Sequence, residues 1–267
     1  MKPDQDTILY LPGDSQEQIL KSPILKKYVS RGYEVLLLSD PIDEFCTQHL
    51  TEYEKRKLKS IAKDDVSLID NNDETAKKKL QKLKEMYKPL TDWWKKFLGR
   101  DVEKVQISNK LEDDPLFILT SQYGYSASME RVNKAQAFQN QEKQASYMLA
   151  KKTLEINPHH SVSKEMLRLI EESDGTMSEA HEEYARLLYS MALINSGFDV
   201  GAQDTFTTPL SKLINVGFGL DRDEPIVEIE VDITEEEEDG DENKQEQEIN
   251  LEDLMVEEEV SPEHDEL

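Results

Sequence analysis

The chain has 267 residues and a formal net charge of −25, from 57 acidic and 32 basic side chains, with 37% hydrophobic and 33% charged residues. That length allows one large or two modest domains with real cores, and no stretch approaches the roughly 20 apolar residues needed to cross a bilayer, so membrane insertion is not expected. The charge is uneven: residues 224–267 hold 21 acidic side chains against Lys244 alone, which leaves a nearly balanced body and a polyanionic tail that repels nucleic acid and anionic lipid.

Residues 1–70 alternate strand-like and helix-like segments and predict a small α/β unit. Strands are expected at Thr7–Leu11, at Glu34–Ser39 and, more weakly, at Leu58–Ala62. Between the first two, SQEQILKSPILKKYVSRG spaces Ile19, Leu20, Ile24, Leu25 and Tyr28 as a helix would. Pro23 splits that pattern into two short helices, because proline removes a ladder donor and crowds the preceding turn, and Gly32 closes the second. Asp40-Pro41 leads into a helical turn at Asp43–Cys46. Cys46 is the sole cysteine, cannot make an internal disulfide, and is expected to be buried or weakly reactive.

The polar run AKDDVSLIDNNDE reads as a loop with a helix cap. From Glu74 the pattern is helical, with Leu80, Leu83, Met86 and Tyr87 on one stripe. Pro89 then starts a second helix carrying Leu90, Trp93, Trp94 and Phe97 as far as Gly99. DVEKVQIS and PLFILTSQY read as strands joined by a turn at Leu111–Asp114. Beyond Gly124 the chain reads as almost entirely helical: Ser126 to about Phe138, Ser163–Glu172, Ser178 to about Ser196, and Pro209–Leu220.

In the third of these helices Tyr184, Leu187, Leu188, Met191, Ala192 and Asn195 form one broad apolar stripe, and Leu210, Leu213, Ile214 and Gly217 repeat it in the last. Two such stripes at the end of a domain want a covering surface, either a partner or the rest of the same chain. Residues 223–267 have too little apolar content to offset the cost of ordering and are expected to be a disordered acidic tail. The fold class expected is therefore α+β: an α/β unit over 1–70, a mixed but mostly helical domain over 71–222, and the tail over 223–267.

Catalytic signatures are near misses. His181-Glu182-Glu183-Tyr184-Ala185 begins like the HExxH zinc motif, but Ala185 stands where the second ligand belongs, one turn on, so capping or surface charge is the better reading. His159-His160 follow Asn157-Pro158 in a loop, and adjacent histidines rarely face one metal. GxxxxGKS/T, GxSxG and GxGxxG do not occur. In the tail, Glu235, Glu237, Asp239, Gly240 and Glu246 fall at calcium-loop spacing, although Glu242 stands where an apolar anchor belongs. Such carboxylates can hold calcium weakly, with no specific metal site, or simply solvate the tail.

The last four residues, His264, Asp265, Glu266 and Leu267, read as HDEL, a signal for retrieval to the endoplasmic reticulum lumen by a receptor. The start, MKPDQDTILYLPGD, has no apolar run or cleavage site of a secretory leader, so a luminal address implies a natural protein that begins upstream.

Residues 122–162, QYGYSASMERVNKAQAFQNQEKQASYMLAKKTLEINPHHSV, resemble the C-terminal domain of the heat shock protein 90 chaperone family. SDPIDEFCTQHL, YKPLTDWWKKFLGRDVEKVQIS and YARLLYSMALINSGF are similar to three further passages of that family, and HDEL after an acidic tail matches its endoplasmic-reticulum branch. The resemblance implies that residues 1–70 end a middle domain, that 71–222 form a dimerisation domain, and that ATP and magnesium bind an N-terminal domain outside this chain. The chain itself is then expected to be no enzyme and to hold no cofactor beyond weakly bound calcium.

The resemblance further implies a homodimer through a four-helix bundle at Tyr184, Leu187, Leu188, Met191, Ile194, Leu210, Leu213 and Ile214. Unfolded or partly folded clients would touch the surface near Met129, Phe138, Tyr147, Met148 and Leu149. Asn133 departs from the family pattern there, where a second methionine is common. Trp93 and Trp94 are further client candidates, with core packing the stronger alternative. The implied function is the dimerisation and client-contact part of a luminal chaperone; the alternative is a low-affinity calcium store acting through its tail.

Overall fold

The computed structural model describes residues 1, 5–66, 74–121, 124–136, 152–201 and 204–229, with backbone alone at 41 and 132–136. By contacts the chain divides after Asp223. The described part of the second unit, residues 224–229, has no regular structure.

In the first unit the chain begins with β1 (Ile8–Pro12), whose alternation puts Leu9 and Leu11 inward. It crosses over through α1 (Gln16–Leu20) and α2 (Pro23–Ser30) to β2 (Val35–Leu38), which pairs parallel to β1. Ser22-Pro23 divides the two helices as expected, with proline at a first helical position where its missing N–H costs nothing. Gly13 is required at the first turn: a Cβ there would stand 2.6 Å from Ile19 Cγ1.

Next comes α3 (Pro41–His49), opened by a full capping box: Asp40 accepts from Ile42 N at 3.0 Å while Asp43 accepts from Asp40 N at 3.3 Å. β3 (Glu52–Tyr53) and β4 (Arg56–Ser60) form a hairpin, and β4 lies parallel to β1 on its other side, giving the order β2-β1-β4-β3.

The second lobe starts with α4 (Glu74–Met86) and α5 (Lys88–Leu98). A three-stranded sheet follows, made of β5 (Lys104–Ile107), β6 (Leu116–Thr120) and β7 (Lys152–Ile156) in the order β5-β7-β6. The remaining helices are α6 (Ala127–Gln136), α7 (Ser161–Glu172), α8 (Glu179–Asn195) and α9 (Asp204–Gly217).

The mixed α/β class is as expected, but two local readings need correction. The region after Gly124 is not all helical, because Lys152–Ile156 is the central strand of the second sheet. Leu154 and Ile156 alternate with Thr153 and Glu155 over only five residues, and both faces are buried, with Glu155 at 2% exposure and paired internally. Leu111–Asp114 lies between β5 and β6 in the chain as expected, but those two strands do not pair, since β7 lies between them. The last helix starts before Pro209, which sits inside it with its ring buried.

Two apolar cores result. One packs Leu9, Leu11, Ile19, Ile24, Leu25, Tyr28 and Ile61. The other packs Leu90, Trp94, Ile107, Leu154, Ile156, Ile170, Tyr189 and Leu193 among others. β6 serves both: Phe117 and Leu119 enter the first core, Leu116 and Ile118 the second. Its backbone also bonds across the lobes, with Asp64 N donating to Thr120 O at 3.0 Å and Thr120 N to Ala62 O at 3.1 Å.

Candidate functional site

The α8/α9 pair carries the main apolar surface. Ser178 caps α8, its Oγ accepting from His181 N at 3.4 Å and lying 2.8 Å from His181 Nδ1, so His181 belongs to a cap. His160 has a similar task, its Nδ1 accepting from Val162 N at 3.2 Å at the start of α7. Ala185, Tyr189, Ala192 and Leu193 turn toward the second core, with Leu188 half-buried against it.

The stripe expected on α8 is thus two faces. Leu188 and Ala192 look inward, whereas Met191 (45% exposed) and Ile194 (46%) stand on the opposite side; Leu187 on that side is itself buried and Tyr184 half-buried. On α9, Leu210 is half-buried while Leu213 and Ile214 are exposed. Val216, Phe218 and Leu220 extend the exposed apolar surface and were not among the expected residues; their continuing apolar spacing past Ile214 is the signal that marks them.

An ionic clasp fixes the end of this pair. Lys212 reaches Glu183 at 3.6 Å and Asp223 at 2.9 Å, Arg222 bridges back to Glu183, and Asn215 Nδ2 donates to Arg222 O at 3.4 Å. The hydrogen bond between them raises the Lys212 pKa and lowers that of Asp223. All of it is at the surface, where such pairs contribute little to stability but set local geometry.

The expected client residues fare differently. Trp93 and Trp94 lie inside the second core, Trp94 with no exposed surface, and Phe97 stacks on Trp93 at 4.8 Å. Their large apolar area is used in packing. Met129 is buried at 6% exposure, while Phe138, Tyr147, Met148 and Leu149 lie outside the described residues. So do the calcium candidates Glu235, Glu237 and Asp239 and the terminal His264–Leu267. Among the described residues, no group of three or more His, Cys, Asp or Glu is placed to hold a metal, and no helix is long and apolar enough to cross a membrane.

A polar seam runs between the lobes. Lys110 and Glu155 lie 3.7 Å apart and almost wholly buried. Glu155 also accepts from Ser108 Oγ at 2.5 Å and Gln106 Nε2 at 2.9 Å, and Lys110 Nζ donates to Lys63 O at 3.1 Å. Burial pulls the Lys110 pKa down, opposed by the Glu155 charge. Beside the seam a cleft of about 580 Å³ is lined by Tyr10, Glu44, Thr47, Lys63, Ser126 and Met129 among others. Glu44 accepts from Ser126 Oγ through one carboxylate oxygen, while the other is buried without a hydrogen-bond partner, and burial raises its pKa. Cys46, on the same helix, is exposed, which removes burial from the two states expected of it.

Comparison with known proteins adds an independent line. The family model described as "Hsp90 protein" matches residues 1–248. The chain is 38% identical over 230 residues to a protein named "Endoplasmin homolog" from Hordeum vulgare, covering 85% of this chain and 27% of the relative. It is 38% identical over 224 residues to the like-named protein of Arabidopsis thaliana, covering 84% and 26%. Against "Putative heat shock protein HSP 90-beta-3" of Homo sapiens the identity is 38% over 228 residues, covering 85% and 37%. The chain therefore spans between 26% and 37% of the length of these curated relatives.

Proposed function

This chain belongs to the Hsp90 family, and we propose that it serves as the dimerisation and client-contact portion of an ATP-dependent chaperone of the endoplasmic reticulum lumen. The observation that carries the reading is the exposed apolar surface of Met191 and Ile194 on α8, of Leu213, Ile214 and Val216 on the adjacent α9, and of Phe218 and Leu220 in the turn that follows it. A contiguous patch of that kind is uncommon on a solitary soluble protein, and a stable interface needs about 800 Å² from each partner. The luminal address is supported by relatives named "Endoplasmin homolog" and by the terminal HDEL. Nucleotide turnover is assigned to a part of the full-length protein outside this chain.

Sedimentation equilibrium tests the assembly. The chain should be a dimer at micromolar concentration, and Met191→Glu with Ile214→Glu should give monomers with unchanged circular dichroism. Both residues are exposed, so the substitutions leave the cores intact. Unaltered assembly of the double variant would move the interface elsewhere.

A second reading, a low-affinity calcium store, rests on the 21 acidic side chains of residues 224–267. Calorimetry should then detect weak, many-site calcium binding that disappears when those residues are removed.

A further inference from the structure

Helix α4 is basic where the chain as a whole is acidic. In thirteen residues it carries five lysines against two glutamates, in a chain whose formal charge is −25. Leu80 and Leu83 pack it against the second core, and Tyr87, just past its end, is buried with its Oη donating to Pro158 O at 2.6 Å. No α4 side chain is wholly buried. Lys78 and Lys82 lie two positions either side of Leu80, about 200° around the helix, so the contact that holds α4 turns them outward.

The two glutamates of α4 do little to neutralise it. Gln81 donates to Glu85 at 3.1 Å, and Glu74 lies 3.9 Å from Lys77, at the outer limit of an ion pair. Lys78, Lys79, Lys82 and Lys84 are exposed and make no ion pair among the described residues. Lys78 and Lys82, four apart on one helix, repel each other. The positive field reaches past α4: burial, and then the charges of Lys27, Lys79 and Lys164, lower the pKa of His159 in the turn between β7 and α7. Lys27 belongs to α2 and Lys164 to α7, so three helices contribute to that field.

We propose that the outward face of α4 is a docking surface for an acidic segment of a separate polypeptide. Spacing and residue type select that occupant. Lys78 and Lys82 are about 6 Å apart along the helix axis, and every second side chain of an extended peptide advances about 6.7 Å, so carboxylates on one side of such a peptide meet them in turn. The whole helix is about 20 Å long, room for about six extended residues. Its cations are all lysines, point charges without the planar fork that grips a phosphate at two oxygens. It carries no aromatic side chain on which a base could stack. Leu80 and Leu83 are taken up by the core, so neither is free to enter a lipid surface. A carboxylate seated over Lys78 and Lys82 relieves the repulsion between them. The proposal stands independently of the chaperone reading above.

Anisotropy of a dye-labelled peptide of about eight glutamates, titrated with the whole chain at about 50 mM salt, should report saturable binding. A glutamine peptide of the same length should not bind. Raising the salt to about 200 mM should weaken the glutamate peptide severalfold, as screening of a contact between several charges requires. Lys78→Glu with Lys82→Glu should weaken it about tenfold or more without altering circular dichroism, since both side chains are exposed. Lys78→Arg with Lys82→Arg should bind like the parent. Lys21→Glu with Lys55→Glu makes the same change in net charge on exposed lysines of the first lobe and should leave the affinity within about twofold.

Loss confined to the Lys78, Lys82 glutamate variant, with the arginine variant intact, would establish the α4 surface. Equal loss in the two glutamate variants would reduce the effect to net charge and overturn it, as would failure of the peptide to bind the parent at low salt. Tighter binding of a phosphatidylserine vesicle or a single-stranded oligonucleotide than of the glutamate peptide, lost in the same variant, would assign the face to phosphates and overturn the acidic polypeptide as its occupant. Peptide binding that appears only after removal of residues 224–267 would assign the face to the chain's own tail and likewise overturn the proposal.

Discussion

Helices α5 and α3 hide opposite things. α5 buries Leu90, Trp93, Trp94 and Leu98 and sends Lys95 and Lys96 outward; α3 shows Ile42 and Phe45 to water and turns Glu44 and Thr47 inward. Both have a good N-terminal signal in sequence, Pro89 in one and the Asp40 box in the other. A hydrophobic stripe identifies which face of a helix is apolar. Which face is buried depends on what lies beneath it: an aromatic core under α5, and under α3 a cleft of mixed lining in which Ser126 bonds Glu44.

Substitutions can break or sharpen this contrast. The largest effect is expected for Trp94→Ala, which empties a fully buried aromatic site and should cost about 4 kcal/mol in urea denaturation. Next is Glu155→Gln. It leaves the buried Lys110 ammonium without its counter-charge and should cost roughly 3 kcal/mol, with Lys110→Met in the same chain recovering part of it in a double-mutant cycle.

A smaller effect of opposite sign is expected for Glu44→Gln. Folding raises the Glu44 pKa, so the folded protein holds that proton more tightly than the unfolded chain. Its contribution is favourable at acid pH and lost as pH rises through the folded value. The variant should therefore gain on the wild type in urea midpoint as the pH is raised above the ordinary carboxylate range; a parallel pH dependence would show that Glu44 is not the titrating group. Smallest should be Phe45→Ala, within about 0.5 kcal/mol of the parent. A loss near that of Trp94→Ala would mean that the outward face of α3 carries core packing.

Much of the architecture was legible from residue spacing. Pro23, Pro89 and Gly99 marked breaks that the chain respects, and three of the four strands of the first lobe, β1, β2 and β4, fall within two residues of their expected positions, whereas the two-residue β3 was not foreseen. What escaped was set by long-range contacts. β7 alternates over only five residues and is buried on both faces, with the Glu155 charge neutralised by Lys110 from a loop 45 residues earlier. The α8 stripe was visible, but its division into a core face and an outer face depends on where β6 and α9 lie. Of the expected interface residues, Met191, Ile194, Leu213 and Ile214 are exposed, whereas Leu188 is drawn toward the core. Trp93 and Trp94 illustrate the ambiguity of aromatic residues, whose chemistry suits a binding surface and an interior equally.

β6 is a party wall. Leu116 and Ile118 furnish one room and Phe117 and Leu119 the other, so neither lobe has a complete interior without it. A cut between the lobes, near residue 66, would strip the smaller one of Leu111, Phe117 and Leu119 and expose raw apolar surface on both fragments. Unfolding should consequently be shared: once this strand loosens, the two halves melt together, and a strain felt on one side of it is delivered to the other.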